Sequence, residues 1–303
     1  MIAYFNGAFL PKEEIHISPD DRGFLFADGL YEVIRVYNGR LFMADDHIAR
    51  LNYGATHLNL KEQEFSRLKQ VAVQLLEKNG LNNENNELND GLTKGSSGDA
   101  TVYIQVTRGE APRGHAFPTP SPAPTVFASA APFDPEKSRP GRENGVSVIL
   151  VPDQRWARCD MKAVGLTANV LANQQAVEKG AKEALFVRDG VVLEGTHSNF
   201  MAVIDGCLVT APASNYILHG ITRKLVLALA EAREIPARQA PVFCTDLPRI
   251  SEAFITGTTT EITPVTAIDG TAVGTGAPGP VTRALQEAFA RKVAADCGTP
   301  EKA

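Results

Sequence analysis

The stretch from Tyr31 to Leu60, YEVIRVYNGRLFMADDHIARLNYGATHLNL, changes its period halfway along. Tyr31–Phe42 reads as strand, turn, strand, with Asn38-Gly39 at the reversal, the strongest short-range hairpin signal. From Asp45 to Leu60 the apolar residues Ile48, Leu51, Ala55 and Leu58 recur at spacings of three and four, which puts them on one face of a helix. Sheet and helix therefore alternate within one short stretch, and the same mixture continues in both directions.

Toward the N-terminus, residues 1–10 repeat the hairpin pattern about Asn6-Gly7. Toward the C-terminus a second helix is marked by Phe65, Leu68, Val71, Leu75 and Leu76. Gly80–Gly98 is rich in Asn, Gly and Ser, carries no apolar period and reads as a surface loop. Thr101–Thr107 (TVYIQVT) and Pro124–Ala131 read as strands, and Pro132–Gly145, with Pro132, Pro135 and Pro140, is the best linker in the chain. Beyond it come a strand at Val146–Val151, a helix at Ala168–Glu178 ended by Gly180, and hairpins turning at Asp189-Gly190 and Asp205-Gly206. A helix follows Gly220 to about Arg233. Phe254–Thr256 and Ile262–Ile268 flank a Gly-Thr-Thr-Thr turn, and a last helix spans about Val281–Ala294. The expectation is α+β in two domains: a smaller N-terminal one over 1–133, and a larger C-terminal one over 134–303.

Composition bounds the function. With 303 residues, 44% of them apolar, the chain is long enough to bury about 75% of its unfolded surface without a disulfide or metal staple. Thirty basic against 35 acidic side chains leave a net charge of −5, which lacks the basic surplus of a nucleic-acid binder. No window approaches 18 uninterrupted apolar residues, so no membrane span is expected. Met1–Asn6 does not open a signal peptide. Cys159, Cys207, Cys244 and Cys297 show no C-x-x-C spacing for a metal, and reduced thiols in a cytoplasmic protein are expected.

Two segments suit an anion. Leu218-His219-Gly220-Ile221-Thr222-Arg223 enters a helix through a glycine, where free backbone N–H groups meet a Thr hydroxyl. Thr256-Gly257-Thr258-Thr259-Thr260 offers a glycine turn with added hydroxyls. Either alone is more often a capped helix or a plain turn. No Walker-type loop is present, so a nucleoside triphosphate is not the expected ligand. Lys162 is the only lysine between Lys137 and Lys179; a partly buried lysine becomes a nucleophilic amine, although most lysines are solvated surface charges. Taken singly, Glu194 also reads as a surface charge, and Arg50 as a solvated arginine or a partner for Asp46. The residues by themselves reach no further than a site for a phosphorylated small molecule.

The order of several blocks goes further. Asp21–Tyr37 (DRGFLFADGLYEVIRVY), His47–Leu51 (HIARL), Val106–His115 (VTRGEAPRGH), Arg155–Lys162 (RWARCDMK), Glu194–Asn199 (EGTHSN), Ile217–Arg223 (ILHGITR) and Thr256–Val265 (TGTTTEITPV) resemble the fold-type IV pyridoxal-phosphate enzymes. The resemblance is strongest to the D-amino-acid aminotransferases and runs from Phe5 to about Ala290. It implies that Lys162 holds pyridoxal 5'-phosphate as a Schiff base and shuttles a proton, and that Glu194 faces the pyridine nitrogen. Arg50, Ile221, Thr222 and Thr258 match the phosphate-cup positions, and Leu218 the residue packed on the ring. Tyr31, Arg113 and His115 match a trap for the substrate α-carboxylate, in which the Arg and His come from a second subunit; a homodimer is implied.

The implied reaction interconverts D-amino acids, of the D-alanine and D-glutamate type, and 2-keto acids by a ping-pong cycle. Branched-chain L-amino-acid or (R)-amine aminotransferases and aminodeoxychorismate lyase share the scaffold, and the Arg113/His115 pair argues against all three. Three departures stand out: the length of Gly80–Gly98, His197 where close family members carry a serine, and Ala27 in place of a common glycine, expected to be mild.

Overall fold

Asn6 and Asn38 turn through φ of 46° and 49°, each followed by a glycine at positive φ, so both asparagine-glycine pairs make the reversals their sequence prescribes. They join β1 (Ile2–Phe5) to β2 (Ala8–Pro11) and β3 (Gly29–Tyr37) to β4 (Arg40–Leu41). The structure, a computed structural model, describes residues 1–82 and 98–298, so most of the Gly80–Gly98 segment lies outside the described residues. The chain forms two compact units. One comprises Met1–Asp134, Met161–Gly165 and Val293–Ala303, the other Pro135–Asp160 and Leu166–Lys292.

In the first unit, β5 (Ala100–Thr107) and β6 (Thr125–Pro132) complete an antiparallel sheet in the order β2-β1-β6-β5-β3-β4. Alternation along β5 turns Ala100, Val102, Ile104 and Val106 inward. A short helix α1 (Arg22–Phe26) is capped by Asp21, whose Oδ1 accepts from Gly23 N–H at 2.8 Å. Helices α2 (Ala44–His57) and α3 (Arg67–Lys78) bury the stripes read from the sequence, Ile48, Leu51 and Ala55 on one and Leu68, Val71, Leu75 and Leu76 on the other. These side chains and the inward strand residues form one core.

In the second unit the path runs β12-β11-β10-β14-β15-β7-β8-β9-β13, with β16 beside β15. Its strands are β7 (Val146–Pro152), β8 (Glu183–Arg188), β9 (Val191–Gly195), β10 (Asn199–Ile204), β11 (Cys207–Thr210), β12 (Ala237–Gln239), β13 (Val242–Phe243), β14 (Ile250–Gly257), β15 (Glu261–Ile268) and β16 (Thr271–Ala272). Asn199 also pairs with Glu194, which returns β10 to β9 and closes a ring of strands. Helix α5 (Thr167–Glu178) connects the parallel pair β7 and β8, and α6 (Ile221–Ala232) follows β11. Helix α7 (Pro280–Cys297) starts in this unit, where Glu252 accepts from the N–H groups of Val281 and Thr282 at 3.0 and 2.8 Å.

Three segments differ from the sequence reading. The proline-rich stretch read as a linker contains α4 (Arg139–Asn144), with its proline in the first turn, where the missing N–H costs nothing. The lysine segment and the end of α7 from Val293, both expected in the C-terminal domain, belong instead to the first unit. Strand β4 pairs with β3 only at Val36 and Tyr37, leaving the backbone of Gly29–Tyr31 open on that edge. Met161–Gly165 fills the edge: Tyr31 N–H donates to the Lys162 carbonyl at 2.9 Å, Val164 N–H to the Gly29 carbonyl at 3.1 Å, and Met161 joins the first core.

Candidate active site

In the first unit the chemistry gathers on β3 and α2. Lys162 Nζ lies 4.2 Å from the centre of the Tyr31 ring, and Tyr31 stacks on Tyr103 at 5.9 Å. The next residue on β3, Glu32, points to the opposite face and is wholly buried. One helical turn of α2 supplies its partners. Arg50 grips the carboxylate with two bonds, Nε at 2.7 Å and Nη2 at 2.8 Å, and His47 Nδ1 lies 2.8 Å from Oε2. Arg50 thus pairs with Glu32, a partner that its sequence neighbourhood does not reveal.

Burial alone would raise the Glu32 pKa. The Arg50 charge and hydrogen bonds, then those of His47, outweigh it and hold the carboxyl well below the usual carboxylate range. His47 moves down: burial acts first, Arg50 and Lys162 add to it, and the pull of Glu32 does not compensate. A neutral imidazole donating through Nδ1 to Glu32 leaves Nε2 as an acceptor.

Arg113 and His115, both exposed, are seated on α1 of the same unit. The Arg113 guanidinium lies 5.2 Å from the centre of the Phe26 ring, and the His115 ring 5.6 Å from it. Gly114 between them offers its carbonyl to Arg22 Nη1 at 2.6 Å.

In the second unit Glu194 ends β9, and every element around it is arranged to meet its carboxylate. Arg155 Nη1 donates to Oε1 at 2.5 Å; Asn199 Nδ2 and Leu218 N–H donate to Oε2 at 3.0 and 2.9 Å. Asn199 also donates to the Leu218 carbonyl at 2.9 Å, and a Cβ at Gly220 would strike its Oδ1, so only glycine fits there. Three donors leave one lone pair of the carboxylate open. Burial pushes the Glu194 carboxyl up to about 7, against the pull of Arg155 and Leu218 N–H. Asp153, bonded to Arg155 Nε at 2.9 Å, and Glu194 keep the guanidinium firmly protonated.

The β9–β10 turn is set by Glu183, which is fully buried. It accepts from His197 N–H at 2.8 Å and Ser198 Oγ at 2.9 Å. His197 itself stands half exposed, its Nδ1 3.3 Å from Glu183. Helix α6 starts at Gly220 without a side-chain cap, so its first-turn N–H groups, at Ile221 and Thr222, have no side chain to accept from them. Thr258 is half-buried in the turn from β14 to β15, and the buried Thr256 Oγ1 just before it has no hydrogen-bond partner among the described residues.

Motif reading named Tyr31, Arg50, Lys162, Glu194 and Leu218; the structure sets Lys162 beside the Tyr31 ring, Arg50 against Glu32 on the opposite face of β3, and Leu218 N–H on the Glu194 carboxylate. It missed Glu32, His47, Arg155 and Asn199. The spacing of His47 and Arg50 on one helical turn was a usable signal for the first pair; nothing local marks Arg155 or Asn199.

An antiparallel sheet under two helices, followed by a closed mixed sheet with a buried carboxylate at a strand end, is the framework of a transaminase class. The chain belongs to the class IV aminotransferases, whose family model matches residues 29–268. The D-alanine aminotransferase of Bacillus licheniformis is 40% identical over 294 residues, 97% of each chain, and that of Staphylococcus haemolyticus 39% identical over 287 residues, 94% of this chain and 95% of its own. Among solved structures, the branched-chain amino acid aminotransferase of T.th., complexed with N-(5'-phosphopyridoxyl)-L-glutamate, superposes with a TM-score of 0.82 at 26% identity, covering 99% of this chain and 95% of its own. The Escherichia coli branched-chain enzyme gives 0.84 at 24% identity over 96% and 93%.

Proposed function

We propose that this protein is a pyridoxal-phosphate-dependent D-amino-acid aminotransferase, acting on D-alanine and D-glutamate with 2-keto acids as acceptors, as a homodimer. The observation that carries the substrate assignment is the exposed Arg113–His115 pair: a guanidinium and an imidazole held side by side suit a carboxylate, and the relatives at 38–40% identity are D-alanine aminotransferases. A branched-chain L-amino-acid enzyme, an (R)-amine enzyme and aminodeoxychorismate lyase use the same fold, and this pair disfavours each. The four cysteines are free thiols, which fits a cytoplasmic setting.

The residues present suit the cofactor. An uncapped helix start, a buried hydroxyl without a partner and a threonine-rich turn are the donors a phosphate needs, and Glu194 keeps one lone pair for a ring N–H. When bound, the cofactor supplies an electron-accepting ring that stabilises negative charge at the substrate Cα. Lys162 Nζ would hold the cofactor covalently and, as a free amine, would carry the proton between the substrate Cα and the cofactor. Glu194 would hold the ring proton in place, and Arg155 pulls the carboxyl toward its ionised form. Arg50, held by Glu32 and His47, would serve the cofactor phosphate, as would the Ile221 and Thr222 N–H groups and the hydroxyls of Thr222 and Thr258, and Leu218 would lie against the ring. Tyr31, with Arg113 and His115 of a second copy, receives the carboxylate and so orients the Cα–H bond.

The test is a single-turnover spectrum of the cofactor-loaded protein with D-alanine and, separately, with L-leucine. Loss of the cofactor band with D-alanine alone is the expected result. A response to L-leucine alone would transfer the function to the branched-chain reading.

A further inference from the structure

Asp28, in the loop between α1 and β3, sits between two buried arginines of the same unit. Its Oδ2 accepts from Arg22 Nε at 2.9 Å and from Arg108 Nε at 2.6 Å, and its Oδ1 from Arg108 Nη2 at 3.0 Å. The side chains of Arg22 and Arg108 are 5% and 2% exposed, so the two cations are held close together out of water with one carboxylate to neutralise them. Such a cluster is costly unless it fixes something, and its remaining donors show what it fixes.

Arg22 spends Nη1 on the carbonyl of Gly114 at 2.6 Å, between Arg113 and His115. Its guanidinium also lies 4.8 Å from the Phe26 ring, on which both of those side chains rest. Arg108 anchors itself to the carbonyls of Leu58 and Asn59 at 2.7 and 2.9 Å and lays its face on the exposed Phe117 ring at 3.8 Å. The segment 109–117 is thus gripped on the glycine between Arg113 and His115 and again two residues beyond His115, and both grips converge on Asp28. Its start is stitched to the N-terminal end of α1, by Arg22 N–H to the Gly109 carbonyl at 3.0 Å and Ala111 N–H to the Asp20 carbonyl at 3.2 Å.

We propose that Asp28 is a positioning residue for substrate specificity: by bridging Arg22 and Arg108 it fixes the segment that carries Arg113 and His115, and so sets the affinity for carboxylate-bearing amines. The inference rests on the reading of Arg113 and His115 as the carboxylate trap. Replacing the carboxylate by an amide leaves two buried guanidinium groups facing each other, so one must swing out and release either Gly114 or Phe117. Neither touches the reacting atoms, so the loss falls on binding and not on the chemical step.

The experiment compares Arg113→Ala, Asp28→Asn and Phe117→Leu in the cofactor-loaded enzyme, measuring KM and kcat for D-alanine together with hydrogen exchange of the amides of 109–118. The expected result for Asp28→Asn is a KM raised about tenfold or more with kcat within about threefold, as for loss of a charge-assisted hydrogen bond, and faster exchange confined to that segment. Phe117→Leu, at a surface ring whose loss does not threaten folding, should raise KM in the same sense by a few-fold and decides the matter if Asp28→Asn does not fold. If Arg113→Ala raises KM while Asp28→Asn and Phe117→Leu leave it unchanged, the trap stands and the role of Asp28 is overturned. If Arg113→Ala leaves KM unchanged, the trap reading itself fails, and faster exchange in Asp28→Asn without a KM effect then marks Asp28 as structural only.

Discussion

Arg155 approaches Glu194 to 2.5 Å, yet the carboxyl it contacts is pushed up to about 7. The two facts are compatible because Glu194 is nearly withdrawn from water while Arg155 shares its charge with Asp153, which it also binds. Glu194 therefore sits near the balance between neutral and ionised at physiological pH.

That balance has a sign. The folded pKa lies above the unfolded value of about 4.5, so the contribution of Glu194 to stability is fully present below pH 4.5 and is lost as pH rises to about 7. In cofactor-free protein the loss amounts to about 3 kcal/mol at most. Denaturant titration from pH 4.5 to 8 should show this downward slope in the native sequence and not in Glu194→Gln. Parallel curves would contradict the burial argument.

Glu32 behaves in the opposite sense. Its folded pKa is depressed, so its contribution is complete above the unfolded value and disappears as pH falls below it. Glu32→Gln leaves Arg50 without its bidentate partner and should cost about 3 kcal/mol at neutral pH, as for a buried pair broken on one side. The same variant should lose less stability than the native protein on acidification. Cofactor affinity, measured by equilibrium dialysis, should fall as well, because Arg50 is no longer held in one rotamer.

Lys162 reports on its surroundings as well as on turnover. Lys162→Ala should lower kcat by about 100-fold or more, as for removal of an acid–base group. Because the Lys162 charge helps to depress His47, the same substitution should raise the His47 pKa in cofactor-free protein. Imidazole proton NMR checks this without reference to activity, and an unmoved His47 would separate the two residues.

How much of this was legible depends on distance along the chain. The hairpins at Asn6-Gly7, Asn38-Gly39, Asp189-Gly190 and Asp205-Gly206 are local decisions, and all four form with positive φ at both turn residues. The helices α2, α3, α5 and α6 follow from apolar spacing or a flanking glycine. β12 and β16 could not be read, since their residues are exposed and short of apolar alternation. The site divides the same way. Lys162 and Glu194 stand in blocks recognisable by their order, whereas Arg155 reaches Glu194 and Glu32 reaches Arg50 only through sheet and helix packing that no single window encodes. The placement of Met161–Gly165 in the first unit likewise depends on an edge that β4 leaves open, a property of pairing and not of composition.

Ala27 supplies a local test of the same reasoning. It ends α1 at φ 55° and ψ 30°, a left-handed conformation that costs an alanine about 1 kcal/mol and a glycine almost nothing. The side chain is exposed, so removing its methyl group forfeits little packing, although glycine gives back part of the gain through the greater entropy of the unfolded chain. Ala27→Gly should therefore stabilise the protein by up to about 1 kcal/mol and raise Tm by about 2 °C, which agrees with a departure from the family pattern that is mild. Because Asp28 follows directly, KM for D-alanine should stay within about twofold of the native value if the turn geometry is already the one glycine would choose. A lower Tm would show that the left-handed turn is not where the strain lies.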